Sequence, residues 1–324
     1  MSGRVQCELC PNECILEEGQ HSRCRARMNK AGTLVSLVYG KPCAVHVDPI
    51  EKKPFFHFLP GTSAFSIATA GCVLSCKFCQ NWQISQAKPA DTDTYDLPPE
   101  KVVRQAIAYK CRSVTYTYTE PTVFYEYMYD TAVIAKKQKI RNTMHSCGYI
   151  NEKPLRNLSK YMDAADIDLK AFSEDFYTRI CNGSLKPVLN ALTVLKEEGV
   201  WLEITNLLIP TLNDDMKNIR EMSGWIVKNL GPDVPLHFSR FHPHYKLANL
   251  PPTPVDTLTD ARKTAMDKGL KFVYIGNIRH EGESTFCPEC GKLSIERIGY
   301  FVKQNNIPDG KCKFCNTSIP GVWS

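Results

Sequence analysis

Gly71-Cys72-Val73-Leu74-Ser75-Cys76-Lys77-Phe78-Cys79 follows directly on Ala64 to Ala70, an apolar run that reads as a strand. The loop carries three thiols at the spacing Cys-x3-Cys-x2-Cys. A structural metal site is closed by a fourth ligand. Three thiolates around a four-iron, four-sulfide cluster instead leave one iron without a protein ligand, and an open iron is where chemistry occurs. The remaining cysteine clusters each count to four on their own, so neither has a thiol to spare for this loop.

Downstream of the loop, strand-like and helix-like segments alternate. Apolar, β-branched or aromatic runs recur at Ser113 to Tyr118, Asn142 to Cys147, Ala165 to Ala171, Trp201 to Ile209, Leu236 to Phe241 and Phe272 to Gly276. Helical periodicity fills the intervals, over Pro99 to Tyr109, Thr122 to Lys137, Lys153 to Met162, Ser184 to Glu198, Asp214 to Asn229 and Val255 to Lys268. Asp214 reads as an N-cap, and Gly199 and Gly231 read as helix stops. This repetition is the pattern of a parallel sheet with crossover helices, hence an α/β fold. No Gly-x-Gly-x-x-Gly follows the first strand, which argues against a dinucleotide-binding open sheet. Polar residues stand at the ends of many strands: Cys72, Glu120, Ser146, Asp168 and Lys170, Asn206, Arg240 and His242, and Asn277. That distribution suits a full or partial (β/α) barrel whose chemistry lies on the carboxyl face of its strands.

The chain has 324 residues, 43% of them hydrophobic and 23% charged, so it can bury a sizeable core and is neither disordered nor membrane-embedded in composition. The net charge of +6 is mild and is not accompanied by a basic stripe with interleaved aromatics, so it does not point to nucleic acid. The first residues lack an apolar stretch of signal-peptide length, and a cytoplasmic protein without membrane attachment is expected. In that compartment clustered cysteines read as metal ligands rather than disulfides. Of 15 cysteines, Cys43, Cys111, Cys147 and Cys181 stand alone and read as small buried hydrophobes. Cys287, Cys290, Cys312 and Cys315 form two Cys-x2-Cys knuckles, a zinc-ribbon or rubredoxin-like site expected to hold Zn²⁺, with a single iron as the alternative. Cys7, Cys10, Cys14 and Cys24 are spaced Cys-x2-Cys-x3-Cys-x9-Cys, which leaves Zn²⁺ and an auxiliary iron–sulfur cluster both open. The expected organisation is an N-terminal four-cysteine region over 1–60, the barrel over 61–280 and the C-terminal module over 281–324.

The cysteine loop resembles the motif of the radical S-adenosylmethionine (SAM) superfamily, including an aromatic residue, Phe78, just before the third cysteine. The resemblance implies a (β/α)6-type partial barrel in which Cys72, Cys76 and Cys79 hold a [4Fe–4S] cluster and SAM binds its open iron. Reductive cleavage of SAM then gives methionine and a 5′-deoxyadenosyl radical that abstracts hydrogen from a substrate or partner protein. Thr119-Glu120-Pro121 looks like the superfamily's Gly-Gly-Glu-Pro segment, which implies that Glu120 receives the methionyl ammonium. Ser146 lies where relatives place groups that meet the ribose, and Asn277 where backbone groups meet adenine. Asp168-Leu169-Lys170 resembles the Asp-x-Lys motif of glycyl-radical-enzyme activases, which gives that pair a catalytic role bordering SAM and substrate.

Over nearly the whole chain the sequence is most similar to the radical SAM member of the AmmeMemoRadiSam system, a pyruvate formate-lyase-activating-like group. The resemblance rests on Cys7-Glu8-Leu9-Cys10-Pro11-Asn12-Glu13-Cys14, on Lys53-Pro54-Phe55-Phe56-His57-Phe58-Leu59-Pro60-Gly61, on Gln80-Asn81-Trp82-Gln83-Ile84-Ser85 and on Ile319-Pro320-Gly321-Val322-Trp323. It implies Memo-like and AMMECR-type partners and a flavodoxin- or ferredoxin-type reductant. The expected function is a radical SAM oxidoreductase. The alternatives are a glycyl-radical-enzyme activase, a tRNA-modifying radical SAM enzyme and a non-enzymatic metal-stapled scaffold.

Overall fold

The computed structural model describes residues 3–324. Its centre is an eight-stranded sheet in sequential order: β1 (Ala44–Pro49), β2 (Ser63–Ala68), β3 (Ser113–Tyr116), β4 (Arg141–Ser146), β5 (Ala164–Asp168), β6 (Trp201–Leu208), β7 (Leu236–Arg240) and β8 (Val273–Gly276). β2 through β8 pair in parallel, and β1 is antiparallel to β2. Six helices make the crossovers: α1 (Pro99–Ala108), α2 (Tyr125–Lys137), α3 (Glu152–Ser159), α4 (Leu185–Glu197), α5 (Met216–Leu230) and α6 (Val255–Asp267). Parallel strands are covered on both faces, and most residues of β2 to β8 are buried whatever their polarity, Asn142 and Thr143 of β4 included. Each helix turns a stripe onto the sheet; in α4 it is Val188, Ala191, Leu192, Val194 and Leu195, all buried.

β8 and β1 do not pair, so the ring of strands is left open. One cavity nevertheless touches residues at the ends of all seven parallel strands, from the loop after β2 round to Gly276 on β8. The sheet is therefore curled into the partial barrel expected from the alternation. The chain between β1 and β2 crosses to the open side, where Phe56 packs edge-on against Tyr274 of β8 and His237 of β7, each at 4.8 Å between ring centres. Glu203 of β6 fixes this strap by accepting from the backbone N–H of Phe56 at 3.0 Å and of His57 at 2.8 Å. Its carboxylate is also 2.7 Å from His237 Nε2.

Beyond the barrel, β9 (Thr285–Phe286), β10 (Leu293–Ile298) and β11 (Phe301–Asn305) form an antiparallel sheet. Ile295, Ile307, Cys287 and Cys312 share one apolar cluster with Phe56, Phe272 and Tyr274. The C-terminal module is therefore packed on the barrel rather than tethered to it. Its last residues continue the strap: Leu59 N–H donates to the Val322 carbonyl, Val322 N–H to the His57 carbonyl, and the His57 ring joins Pro320 O at 2.7 Å to the Tyr274 hydroxyl at 2.6 Å. Two motifs singled out at opposite ends of the sequence are thus one structural unit. At the N-terminus lie two short antiparallel hairpins, Val5–Gln6 with Ile15–Leu16 and Arg27–Lys30 with Thr33–Ser36; Cys7, Cys10 and Cys14 sit in the loop of the first and Cys24 in the connection between them.

Three details differ from expectation. β1 adds an edge strand upstream of Ala64; His46, Val47 and Pro49 are exposed, so a polar residue and a terminal proline are tolerated and the apolar signal is weak. The cap of α5 is Asp215, which accepts from Lys217 N–H and Asn218 N–H, while Asp214 closes the preceding turn by accepting from Thr211 N–H at 2.9 Å. The run expected as one helix from Thr122 starts as a 3₁₀ turn, Pro121–Phe124, before α2.

Candidate active site

At the carboxyl ends of the parallel strands lies a cavity of about 450 Å³, a size usual for small-molecule sites. Cys72, Cys76 and Cys79 all line it. The loop that bears them is held on both flanks. Ser75 N–H and Lys77 N–H each donate at 3.0 Å to the carbonyls of Cys181 and Ile180, and Asn81 Nδ2 donates to the Tyr118 carbonyl at 2.7 Å. Burial, and next the Glu120 carboxylate, push the Cys72 thiol well up, so a thiolate at this position requires a cation beside it. The donor set therefore fits an iron–sulfur cluster with three protein ligands.

Gly71 sets the approach to the loop. Its φ is +100°, and a Cβ there would lie 2.4 Å from the carbonyl oxygen of Cys24. Gly71→Ala is expected to cost about 1–3 kcal/mol and to displace the loop. Thermal denaturation together with the absorbance of the reconstituted cluster checks this.

Glu120 is buried at the cavity wall. Oε1 accepts from Thr122 N–H at 3.1 Å, Thr122 Oγ1 at 2.8 Å and Ser146 Oγ at 2.8 Å, and Oε2 accepts from Cys147 N–H at 2.8 Å. The carboxylate thus caps the turn after β3 and ties it to the end of β4, bringing Glu120 and Ser146 together. Tyr118, at one of the positions where the family segment has glycine, adopts φ +62°. Its hydroxyl donates to Asp48, and Lys53 Nζ stands 3.9 Å over its ring. Those contacts hold a bulky residue in a conformation that favours glycine.

Asp168 and Lys170 both line the cavity, with Nζ 2.9 Å from Oδ2. Burial favours the neutral acid, but Lys170 and then His145 outweigh it and hold the Asp168 carboxyl well below the usual range. His145 is the neighbour that sequence reasoning missed. Its register partner across β4 and β5 is Asp166, and its Nδ1 lies 2.9 Å from Asp166 Oδ1, with Nε2 3.5 Å from Asp168 Oδ2. Only part of the signal was available: Asp166 and Asp168 alternate in the otherwise apolar β5, whereas β4 is polar at Arg141, Asn142, Thr143 and Ser146 as well, so His145 does not stand out.

Burial disfavours the His145 imidazolium, yet Asp168 and next Asp166 raise its pKa to about 10. The stabilising contribution of this charged ring is complete below the unfolded value of about 6.5 and is lost as pH rises through about 10. His145 is therefore expected to keep its proton from pH 6 to 9, with no imidazole NMR titration in that window. Asp168→Asn brings the titration back into it.

Asn277 lines the cavity at the end of β8, with φ +61°. Cys147 lines it too, as does Tyr300 of the C-terminal module. The run Arg240 to Tyr245 lies beside the wall: Arg240 Nε donates to the Thr253 carbonyl at 2.8 Å, and Tyr245 stacks on Trp82 with ring centres 5.0 Å apart.

The flanking cysteines form two further groups. The four sulfurs of Cys287, Cys290, Cys312 and Cys315 lie within 4.8 Å of one another, with Cys287 and Cys315 at 3.6 Å and Cys290 and Cys312 at 3.8 Å. Cys7, Cys10, Cys14 and Cys24 line a single small cavity with the buried Arg27.

An open (β/α) barrel with three thiols on the loop after its first parallel strand defines the class of protein. Comparison with known proteins agrees. Residues 66–222 match the Radical SAM superfamily. The chain is 46% identical over 319 residues to an uncharacterized protein of Methanocaldococcus jannaschii, covering 98% of this chain and 95% of that one. It is 26% identical over 169 residues to the pyruvate formate-lyase-activating enzyme of Clostridium pasteurianum, covering 49% of this chain and 67% of that enzyme. The crystal structure of a radical SAM methyltransferase from Sphaerobacter thermophilus aligns with a TM-score of 0.53 at 16% identity over 68% of each chain, a likeness of fold alone. The chain belongs to the radical SAM superfamily. No helix among the described residues is long and apolar enough to cross a membrane.

Proposed function

We propose that the chain is a radical SAM oxidoreductase in which Cys72, Cys76 and Cys79 hold a [4Fe–4S] cluster and the cavity beside them receives SAM and substrate. The single observation that carries this reading is the convergence of those three thiols with Asp168, Lys170 and Glu120 on one cavity. When bound, the cluster and SAM supply a 5′-deoxyadenosyl radical for hydrogen abstraction. The residues of the chain position and insulate that chemistry. The Asp168–Lys170 pair places a fixed anion and a fixed cation at the wall, complementary to the amino and carboxylate ends of a zwitterion such as SAM. His145 lies 3.5 Å from Asp168 on the same wall, and Ser146 and Asn277 border the same space. Anaerobically reconstituted protein given SAM and dithionite is expected to form 5′-deoxyadenosine, measured by chromatography; absence of the product overturns the reading.

The activase reading is the second, favoured by the cavity-facing Asp168–Lys170 pair and by the pyruvate formate-lyase-activating relatives. It requires a glycyl-radical doublet on a partner enzyme. The partners proposed for the system are Memo-like and AMMECR-type proteins, with a flavodoxin- or ferredoxin-type reductant. The C-terminal set is proposed to hold Zn²⁺: metal–sulfur bonds of about 2.3 Å put the ligand sulfurs of a tetrahedron roughly 3.8 Å apart. The spacings there, 3.6 and 3.8 Å, agree with this.

A further inference from the structure

The thiols of Cys7, Cys10, Cys14 and Cys24 take no part in the reaction cavity, yet their segment is packed against its back. The small cavity they line is bounded on its other side by Val73, which follows Cys72, and by Thr122 and Val123, which follow Glu120. Asn12, between the second and third of these cysteines, donates Nδ2 to the Val73 carbonyl at 2.9 Å. The carbonyl of Cys24 is the atom that forbids a side chain at Gly71. Two of the cysteine-bearing segments therefore touch the residues on either side of Cys72.

Sulfur spacing separates the cysteine groups. The C-terminal set is drawn in as tightly as a single tetrahedral ion requires. Among Cys7, Cys10, Cys14 and Cys24, no three sulfurs lie within 4.8 Å of one another, and the same holds for Cys72, Cys76 and Cys79. A ligand set around a multi-iron core must be this open, because irons and sulfides stand between the thiolates. Like the three-cysteine loop, the N-terminal set is not drawn in as the C-terminal module is.

We propose that Cys7, Cys10, Cys14 and Cys24 hold a second, fully cysteine-ligated iron–sulfur cluster, packed on the backbone of the cysteine loop and serving as its electron entry. The role, though not the site, rests on the radical SAM reading above. One electron leaves a low-potential one-electron carrier, which is oxidised, and reduces this cluster. It then passes across the Cys24–Gly71 contact to the cluster held by Cys72, reoxidising the first and reducing the second. Cys14, half-buried where the other three are buried, leaves one side of the set accessible to a carrier.

The test counts iron, sulfide and zinc in anaerobically reconstituted chain and records the electron paramagnetic resonance (EPR) spectrum after dithionite. The variant with Cys72, Cys76 and Cys79 all replaced by Ala is expected to keep one cluster, about half the iron of the parent, with a signal indifferent to SAM. Cys10→Ala with Cys24→Ala is expected to lose that half and to keep the SAM-responsive signal. If the triple variant fails to fold, this double variant decides alone. Iron unchanged in the double variant, with one zinc lost, overturns the proposal, as does a triple variant holding zinc at both ends and no iron. A parent chain with only a SAM-indifferent cluster supports the second site and defeats the radical SAM reading, so the two failures are distinguishable.

Discussion

Cys76→Ala is expected to reduce 5′-deoxyadenosine formation to background, a loss of at least about 100-fold, since changes one shell further from a metal already cost 10–100-fold. Cys76 is the central and most enclosed of the three ligands, and Cys181 and Ile180 hold the backbone on either side of it. Removing its thiolate leaves two ligands, too few to retain a cluster with an exchangeable iron. Iron analysis and product chromatography on the same preparation check the result. Undiminished turnover would mean that the thiols on this loop are not the ligands.

Arg297→Ala is expected to destabilise the protein by about 3–5 kcal/mol, the range for breaking a buried ion pair, and to lower the melting temperature by roughly 4–7 °C. Arg297 and Glu51 are both fully enclosed, 3.8 Å apart. The guanidinium also donates to the Phe56 carbonyl at 2.7 Å and to Thr285 Oγ1 at 2.8 Å, so it joins barrel, strap and C-terminal module at one point. Burial raises the Glu51 carboxyl to about 7 even with Arg297 opposing it. A raised carboxyl binds its proton more tightly in the folded state, so its contribution is present at low pH and lost as pH rises through about 7. The variant is therefore expected to suffer more at pH 8 than at pH 6, and adding Glu51→Gln is expected to restore part of the loss. Calorimetric scans at the two pH values check both points. Equal destabilisation at both would show that Glu51 does not titrate between pH 6 and pH 8.

The parallel strands and their crossover helices were legible in the sequence because a doubly covered strand advertises itself as an apolar run and a surface helix as a period of 3.6. β1 was not, since this edge strand leaves His46, Val47 and Pro49 exposed. Asp168 and Lys170 stood out as charged residues at a strand end and through their likeness to the activases' Asp-x-Lys motif, and both line the cavity. His145 escaped because its importance lies across the sheet, opposite Asp166, in a register that neither strand encodes alone. The same limit applied to the strap. Lys53 to Gly61 and Ile319 to Trp323 stood out as motifs, but their union through His57 and Pro320 spans 263 positions and no local pattern announces it. Glu120 stood out for a ligand contact; its four protein donors came into view only with the fold.

The central claim is that Cys72, Cys76 and Cys79 hold a cluster with one open iron that SAM occupies. EPR of the chain reconstituted anaerobically and reduced by dithionite, recorded before and after SAM, tests it most directly. A reduced [4Fe–4S] signal is expected whose g values shift when SAM is added, and whose shift is absent from Cys76→Ala. A spectrum that SAM leaves unchanged, in protein whose iron is fully incorporated, would contradict it.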